Sequence, residues 1–360
     1  MRVLITNLTL WGLTGTEVYA RDLALALTRR GHRVTVFGRG TGPVVRELRR
    51  ADVAVTDRPR RASDDRPDII HGHHFMPTLL AVRQWRTVPA IHVCHDHLHR
   101  DDRTPLDPRI RRHCGVSRLT VARLVREGAA ADATHLALNF VDVMRFRPRT
   151  PLPARPRGAL VFSNYAHHGS HLPVVMEACR RHGLELDVIG SGVGNTVLLP
   201  EERLGSYDIV FAKAKAAIEA MAVGAAVVLC DYAGAGPLVT SDNFDMLRDM
   251  NFGFEALNRP LDPAMLLDEI ARYDPRDAER VRDRIRVEAS LEHAAGVFEQ
   301  LYRDVIDEKA PEAPMGSAWP LKEEAFLRLY WAWNALPPRW RASLGLRYAR
   351  AGVRRWLGAD

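Results

Sequence analysis

Histidine moves protons near neutral pH more readily than any other side chain, and this chain concentrates it. His71, His73 and His74 form one short cluster and His92, His95, His97 and His99 another, seven of the fifteen histidines. An imidazole at a strand end can act as a general base or donate to a phosphate or sugar oxygen. Any one of them alone is accounted for by a hydrogen-bonded structural histidine. The run His95, His97, His99, Asp101 and Asp102 also alternates in a way that suits zinc or a metal pair. Metal-dependent hydrolases of that kind need distant His and Asp ligands as well. No second well-spaced cluster stands out, so no metal ligand is assigned.

A second chemistry is anion binding. The loop LTLWGLTGTEV places Gly12 and Gly15 just before a helix starting near Thr16. Free backbone N–H groups at a positive helix end make such a loop an anion cradle, although glycines there can serve the turn alone. IGSGVGN offers Gly190, Gly192 and Gly194 after a strand, a weaker signal of the same kind. Lys213 and Lys215 stand where a strand becomes a helix, with Glu219 one turn further on. Lysines there oppose the helix dipole unless an anion binds; the alternative is a solvated first turn. Glu219 is placed to accept from vicinal hydroxyls such as those of a ribose.

These residues need strand ends to hold them, and the hydrophobic pattern supplies strands. Short β-branched runs (Arg2–Thr6, Arg33–Phe37, Asp68–His71, Ala90–Val93) alternate with amphipathic stretches (Thr16–Arg30, Met76–Trp85). The proline-rich segment RPRTPLPARPRG interrupts the pattern and reads as a linker. Alternation then resumes with strands at Ala159–Ser163, Leu186–Ile189, Ile209–Phe211 and Ala226–Cys230 and helices at Leu172–Arg181 and Ala214–Met221. Asp262–Tyr273 and Asp277–Ile306 read as surface helices. The expected organisation is a Rossmann-like domain over 1–147, a linker over 148–158, a second Rossmann-like domain over 159–310 and a helical tail over 311–360. In such α/β sheets ligands bind at the carboxyl ends of the strands, which puts the site in the cleft between the domains.

Composition agrees with two packed domains. Of 360 residues, 46% are hydrophobic and 26% charged, which excludes disorder over most of the length. No apolar run reaches the ~18 residues of a membrane-spanning helix. The first residues read as a strand rather than a secretory signal. Cys94, Cys114, Cys179 and Cys230 are too far apart for a zinc motif or a dense disulfide framework. Reduced thiols in the cytoplasm are the expectation.

At this point the residues resemble a family. The blocks GTEVYARDLALALTRRGHRVTVF, PDIIHGHH, HVCHD, CGVSRLTVARLV, NFVDVMRFRP and EAMAVGAAVV follow one another as in the GT-B glycosyltransferases, specifically the retaining family 4. The resemblance covers residues 1–306. It implies an α/β GT-B fold and transfer of a hexose-like sugar from a nucleoside diphosphate sugar to a glycan, lipid-linked or small-molecule acceptor. It also implies retention, no metal and no separate cofactor. By the same resemblance Gly15 lies near the donor diphosphate, His95 near the donor sugar, and Glu219 on the ribose. The departures are informative. A second glutamate expected eight positions before Glu219 is Phe211, and the usual phosphate-binding Arg and Lys are missing from FSNYAHHG. Lys213 and Lys215 are the expected replacements, with Gly190 and Gly192 beside them. The rival readings are a non-catalytic nucleotide-sugar or glycan binder and a metal-dependent hydrolase built on His95–His99.

The net charge of +7 belongs mainly to the tail. Residues 321–360 carry a net +5, and five of the seven tryptophans fall between 319 and 356. Phe326, Leu329, Tyr330 and Trp333 mark one apolar stripe, and Leu346, Ala349, Val353 and Leu357 another, flanked by arginines. Trp, Leu and Arg so arranged suit an anionic membrane surface at the inner face, or a stripe packed back on the first domain. Basic residues are not clustered elsewhere, so nucleic acid is not an expected partner.

Overall fold

The computed structural model describes residues 1–57, 66–308 and position 329. The first sheet comprises β1 (Arg2–Thr9), β2 (Arg33–Arg39), β3 (Ala54–Thr56), β4 (Ile69–His73), β5 (Ala90–Cys94), β6 (Ile110–Gly115) and β7 (Thr134–Leu136). Its order is β3-β2-β1-β4-β5-β6-β7, with parallel pairing throughout. Helices α1 (Gly15–Arg29), α2 (Pro43–Arg50), α3 (Phe75–Gln84) and α4 (Arg118–Arg126) make the crossovers. Parallel strands covered on both faces must be apolar on both, and Ile5, Ile69, Ile70, Ile91 and Val93 are fully buried.

The second sheet holds β8 (Gly158–Phe162), β9 (Glu185–Ile189), β10 (Ile209–Ala212), β11 (Ala226–Asp231) and β12 (Gly234–Leu238) in the order β12-β11-β10-β8-β9. It is mixed rather than wholly parallel, because β12 returns antiparallel to β11 at the edge. Between and after these strands come α5 (Leu172–His182), α6 (Glu201–Leu204), α7 (Ala214–Val223), α8 (Phe244–Asp249), α9 (Pro263–Ala271), α10 (Pro275–Glu288) and α11 (Leu291–Asp307). Local chemistry sets the boundaries. Gly183 and Gly224 end α5 and α7 in left-handed conformations, and Asp262 and Asp274 cap α9 and α10 ahead of a proline. The chain has the α/β GT-B architecture, two sheets with their helices meeting at a cleft.

One expected surface element lies elsewhere. The stretch Asp277–Ile306 divides at Ser290, and α11 crosses to the first domain. There Leu291, Ala295, Phe298, Tyr302 and Val305 join the core formed by α1 and β1. Spacings of three and four put these five on one stripe, which is too apolar to face water. Arg30 and His32 fix its outer side through Glu299. The crossing is tied down where Val141 donates to Ala289 and Leu291 donates to Val141. The proline-rich 148–157 has neither helix nor strand. The tail stripes expected over 321–360 lie outside the described residues, apart from position 329.

Candidate active site at the interdomain cleft

Strand ends from both sheets converge on one cavity of about 150 Å³. Leu13 and Gly15 follow β1, Ser163 and Asn164 follow β8, Gly190 follows β9, and Lys215 and Glu219 ride on α7 after β10. Arg21 and Arg145 close its other side. Four of the residues singled out in sequence, Gly15, Gly190, Lys215 and Glu219, thus share one space. Gly192, Lys213 and His95 do not line it.

The glycines divide by what a side chain would meet. A Cβ on Gly15 would meet nothing within 4 Å, so the open space there belongs to the cavity. A Cβ on Gly190 would sit 1.9 Å from the Ser163 carbonyl oxygen, and one on Gly192 2.3 Å from that of Ala166. Those two glycines let the loops after β8 and β9 close on each other. The loop ahead of α1 already holds an anion of its own. Glu17, buried at the third helical position, accepts from the backbone N–H groups of Trp11, Gly12 and Thr14 and from the Thr9 and Thr14 hydroxyls. The Thr14-x-x-Glu17 spacing is the sequence signal for this capping box. Gly12 is therefore occupied, and the helix end is left to act on the cavity through Gly15.

The two lysines face different partners. Ala214, between them, has φ of +51°, a left-handed conformation that strains any residue with a Cβ. Lys215 Nζ lies 3.3 Å from Asp22 Oδ2 on α1, 3.4 Å from Glu219 Oε1 and 3.2 Å from the Phe140 carbonyl. Asp22 in turn accepts from Arg21 Nε at 2.8 Å, and Arg21 reaches Glu47, which also faces Arg145. A run of alternating charges, buried at Arg21 and Asp22 and part-buried at Glu47 and Arg145, thus spans the cleft wall. Burial pushes the Glu219 carboxyl above its usual range, against the pull of Lys215. Burial would also raise Asp22, but Lys215 and Arg21 outweigh it and hold Asp22 ionised.

Lys213 turns the other way. Its Nζ lies 3.6 Å from Asp231 Oδ2 and over the rings of Phe254 (4.5 Å) and Tyr165 (5.0 Å). Asp231 also accepts from the Ser163 hydroxyl at 3.1 Å. Lys213, expected at the phosphate, has its ammonium beside the cavity, held by a carboxylate and two aromatic faces. Phe211 is fully buried in the sheet core, so its position offers the cavity nothing.

The histidines form a layered group. His71 Nδ1 is 2.5 Å from the Tyr302 hydroxyl, the His71 and His73 rings are 4.6 Å apart, and His73 Nδ1 is 2.8 Å from His95 Nε2. Burial holds all three imidazoles neutral, His71 at about 3 and the others well below their ordinary value. His95 packs against Tyr19 (4.8 Å), which packs on Phe140 (4.3 Å), whose carbonyl accepts from Lys215. Tyr19 and Phe140 thus link His95, itself partly exposed, to Lys215 on the cavity wall. His97 points across the cleft to Phe254, and the Asp96 and Asp102 carboxylates are engaged by backbone N–H groups. Among the described residues, no three His, Cys, Asp or Glu side chains converge to hold a metal ion.

Sequence reasoning missed Asp22, Arg21, Arg145 and Asp231. Arg21 and Asp22 stand next to each other inside the GTEVYARD block, and Arg145 inside NFVDVMRFRP, so the signal was present in segments read for other residues.

Residues 13–145 match the family model described as Glycosyltransferase Family 4. No curated protein matches the chain by sequence. Among solved structures, a glycosyltransferase from Rickettsia africae superposes with a TM-score of 0.62 at 14% identity, covering 86% of this chain and 99% of the other. Anabaena HepE, in complex with UDP and glucose, gives 0.60 at 14% over 84% and 99%. Sucrose-phosphate synthase from Thermosynechococcus elongatus gives 0.59 at 16% over 84% and 98%. Among the described residues, no helix is long and apolar enough to cross a membrane.

Proposed function

For a chain with the GT-B glycosyltransferase fold whose first domain matches glycosyltransferase family 4, we propose transfer of a hexose-like sugar from a nucleoside diphosphate donor to an acceptor hydroxyl. In this reading the anomeric configuration is retained and no metal takes part. The observation that carries it is the shared cavity, where Gly15 of one domain meets Gly190, Lys215 and Glu219 of the other. Glu219 accepts from the ribose hydroxyls. The amino end of α1 at Gly15, with Lys215 and Arg145, faces the diphosphate as it departs. Fixed donors of this kind stabilise a leaving diphosphate without reorganising. His95, beside the cavity and packed on Tyr19, orients the sugar, and closure of the cleft excludes water. HepE was solved with UDP-glucose on the same fold, which supports a nucleotide-sugar donor here.

A second reading has one observation in its favour. Both lysines already have carboxylate partners, at 3.6 and 3.3 Å, so a diphosphate must compete for them. A protein that binds nucleotide sugars without turnover would look the same. A thermal-shift screen of nucleoside diphosphates and nucleotide sugars tests both, since ligand at 100 times Kd stabilises by about 2.7 kcal/mol. Slow nucleotide release from the stabilising sugar in EDTA separates the transferase from the binder. In this proposal the protein works in the cytoplasm, with residues 321–360 against an anionic membrane surface and a lipid-linked or envelope glycan as acceptor. Vesicle flotation of the full chain, compared with a version ending near residue 310, tests that part.

A further inference from the structure

His71 and His73 occupy alternate positions of β4, so both rings face the same side of the sheet, toward α1 and α11. Aliphatic residues fill the equivalent places elsewhere in this core. Both rings are fully buried, and the Nε2 atoms of both have no hydrogen-bond partner among the described residues. Leaving a polar atom in that state is costly, because it loses its hydrogen bonds to water and gains none in return. The backbone around His73 is rigid: its N–H donates to Thr6 Oγ1, and its carbonyl accepts from the same hydroxyl. The ring is packed between Tyr19, His71 and His95. Its Nδ1 is therefore aimed at one atom, His95 Nε2, at 2.8 Å.

Two proton arrangements fit this contact. In one, His95 Nε2–H donates to His73 Nδ1, and the proton on His73 must then sit on Nε2 as a buried donor with no acceptor. In the other, His73 Nδ1–H donates to His95 Nε2, and the atom left over is an unpaired acceptor. Orphaned buried N–H groups are rarer in proteins than under-satisfied acceptors. The second arrangement is favoured, and it forces the proton of His95 onto Nδ1. His95 is also the partly exposed member of the three.

We propose that His73 is a positioning residue that locks His95 as the Nδ1–H tautomer, so that His95 meets the substrate as a hydrogen-bond donor and not as a base. The inference rests on the transferase reading for the identity of the substrate. A donor at that place suits a sugar hydroxyl or a departing phosphate oxygen. It leaves deprotonation of the acceptor to another group.

Long-range proton–nitrogen correlation of the imidazoles in the full-length protein reads the tautomer directly, with His95→Gln assigning the signals. The expected spectrum shows His95 protonated at Nδ1 in the wild type. It shows a shift toward Nε2–H, the form favoured by free histidine in water, in His73→Leu. In His73→Asn the side-chain amide reaches where Nδ1–H stood, and the wild-type pattern should return. Nucleotide release should follow: kcat about tenfold lower in His73→Leu, recovered in His73→Asn, with donor KM unchanged. A wild-type His95 protonated at Nε2, or a tautomer indifferent to His73→Leu, overturns the proposal. Failure of every nucleotide sugar to bind would count against the transferase reading instead, and the spectrum would still decide the tautomer.

Discussion

Lys215 Nζ stands 3.3 Å from Asp22 Oδ2, joining α7 of the second domain to α1 of the first across the wall of the cavity. The same ammonium faces Glu219, so a single cation holds two buried carboxylates from opposite sides. Lys215→Met should therefore lower stability by about 2–4 kcal/mol, because each carboxylate loses a charged partner in a buried setting. Urea denaturation measures this. Donor Kd should rise at least tenfold in the same variant. A variant with unchanged stability would show that the contact is not held in solution.

Glu219 and Lys213 should separate cleanly. Glu219→Ala removes a charged acceptor that lines the cavity, and a tenfold loss of nucleotide affinity corresponds to about 1.4 kcal/mol. Lys213→Ala should leave nucleoside diphosphate affinity within about twofold, because that ammonium is engaged by Asp231 and two rings beside the cavity. Titration calorimetry with the diphosphate alone compares the two. Equal losses would put Lys213 back among the phosphate ligands.

Gly15 and Gly190 should fail in opposite ways. Gly15→Ala finds open space, so the protein should melt normally while binding donor more weakly. Gly190→Ala drives a Cβ into the Ser163 carbonyl, and the forced backbone shift should lower stability by about 1–3 kcal/mol. Melting curves with and without ligand distinguish these outcomes.

Acid should destabilise the fold steeply. His71 and His74 are held down at about 3 and 4, and His73, His92 and His95 also lie well below their ordinary value, all through burial. Each is neutral when folded and takes a proton near pH 6.5 when unfolded. The stability they share is present above pH 6.5 and lost as pH falls, by up to about 1.4 kcal/mol per group per pH unit. Asp102 works the other way. Burial raises it to about 7, so its contribution is present at low pH and lost as pH rises through 7. Five groups outweigh one, and unfolding free energy should drop by at least about 2 kcal/mol between pH 7 and 5.5. His92→Phe should reduce the slope. A flat profile would mean that these imidazoles are solvated.

Much of the architecture was legible because the hydrophobic period reports it. The strand at Arg33, the helix at Leu172 and the order of blocks through EAMAVGAAVV all follow from local pattern. Side-chain direction did not. Lys213 and Lys215 look equivalent in sequence, yet the turn at Ala214 sends them to Asp231 and to Asp22, 193 positions from Lys215. Gly15 and Gly192 likewise differ only in what stands opposite them. The stripe of α11 shows in its spacing, but a stripe does not name the surface that covers it, and here that surface belongs to the other domain.

The most direct measurement is release of nucleoside diphosphate from nucleotide sugars in EDTA, for the wild type and Glu219→Ala. The expected result is slow, chelator-resistant release from one donor, with at least a tenfold lower rate at limiting donor in the variant. Tight binding of a nucleotide sugar with no release, or release that stops on chelation, would contradict a metal-independent transferase.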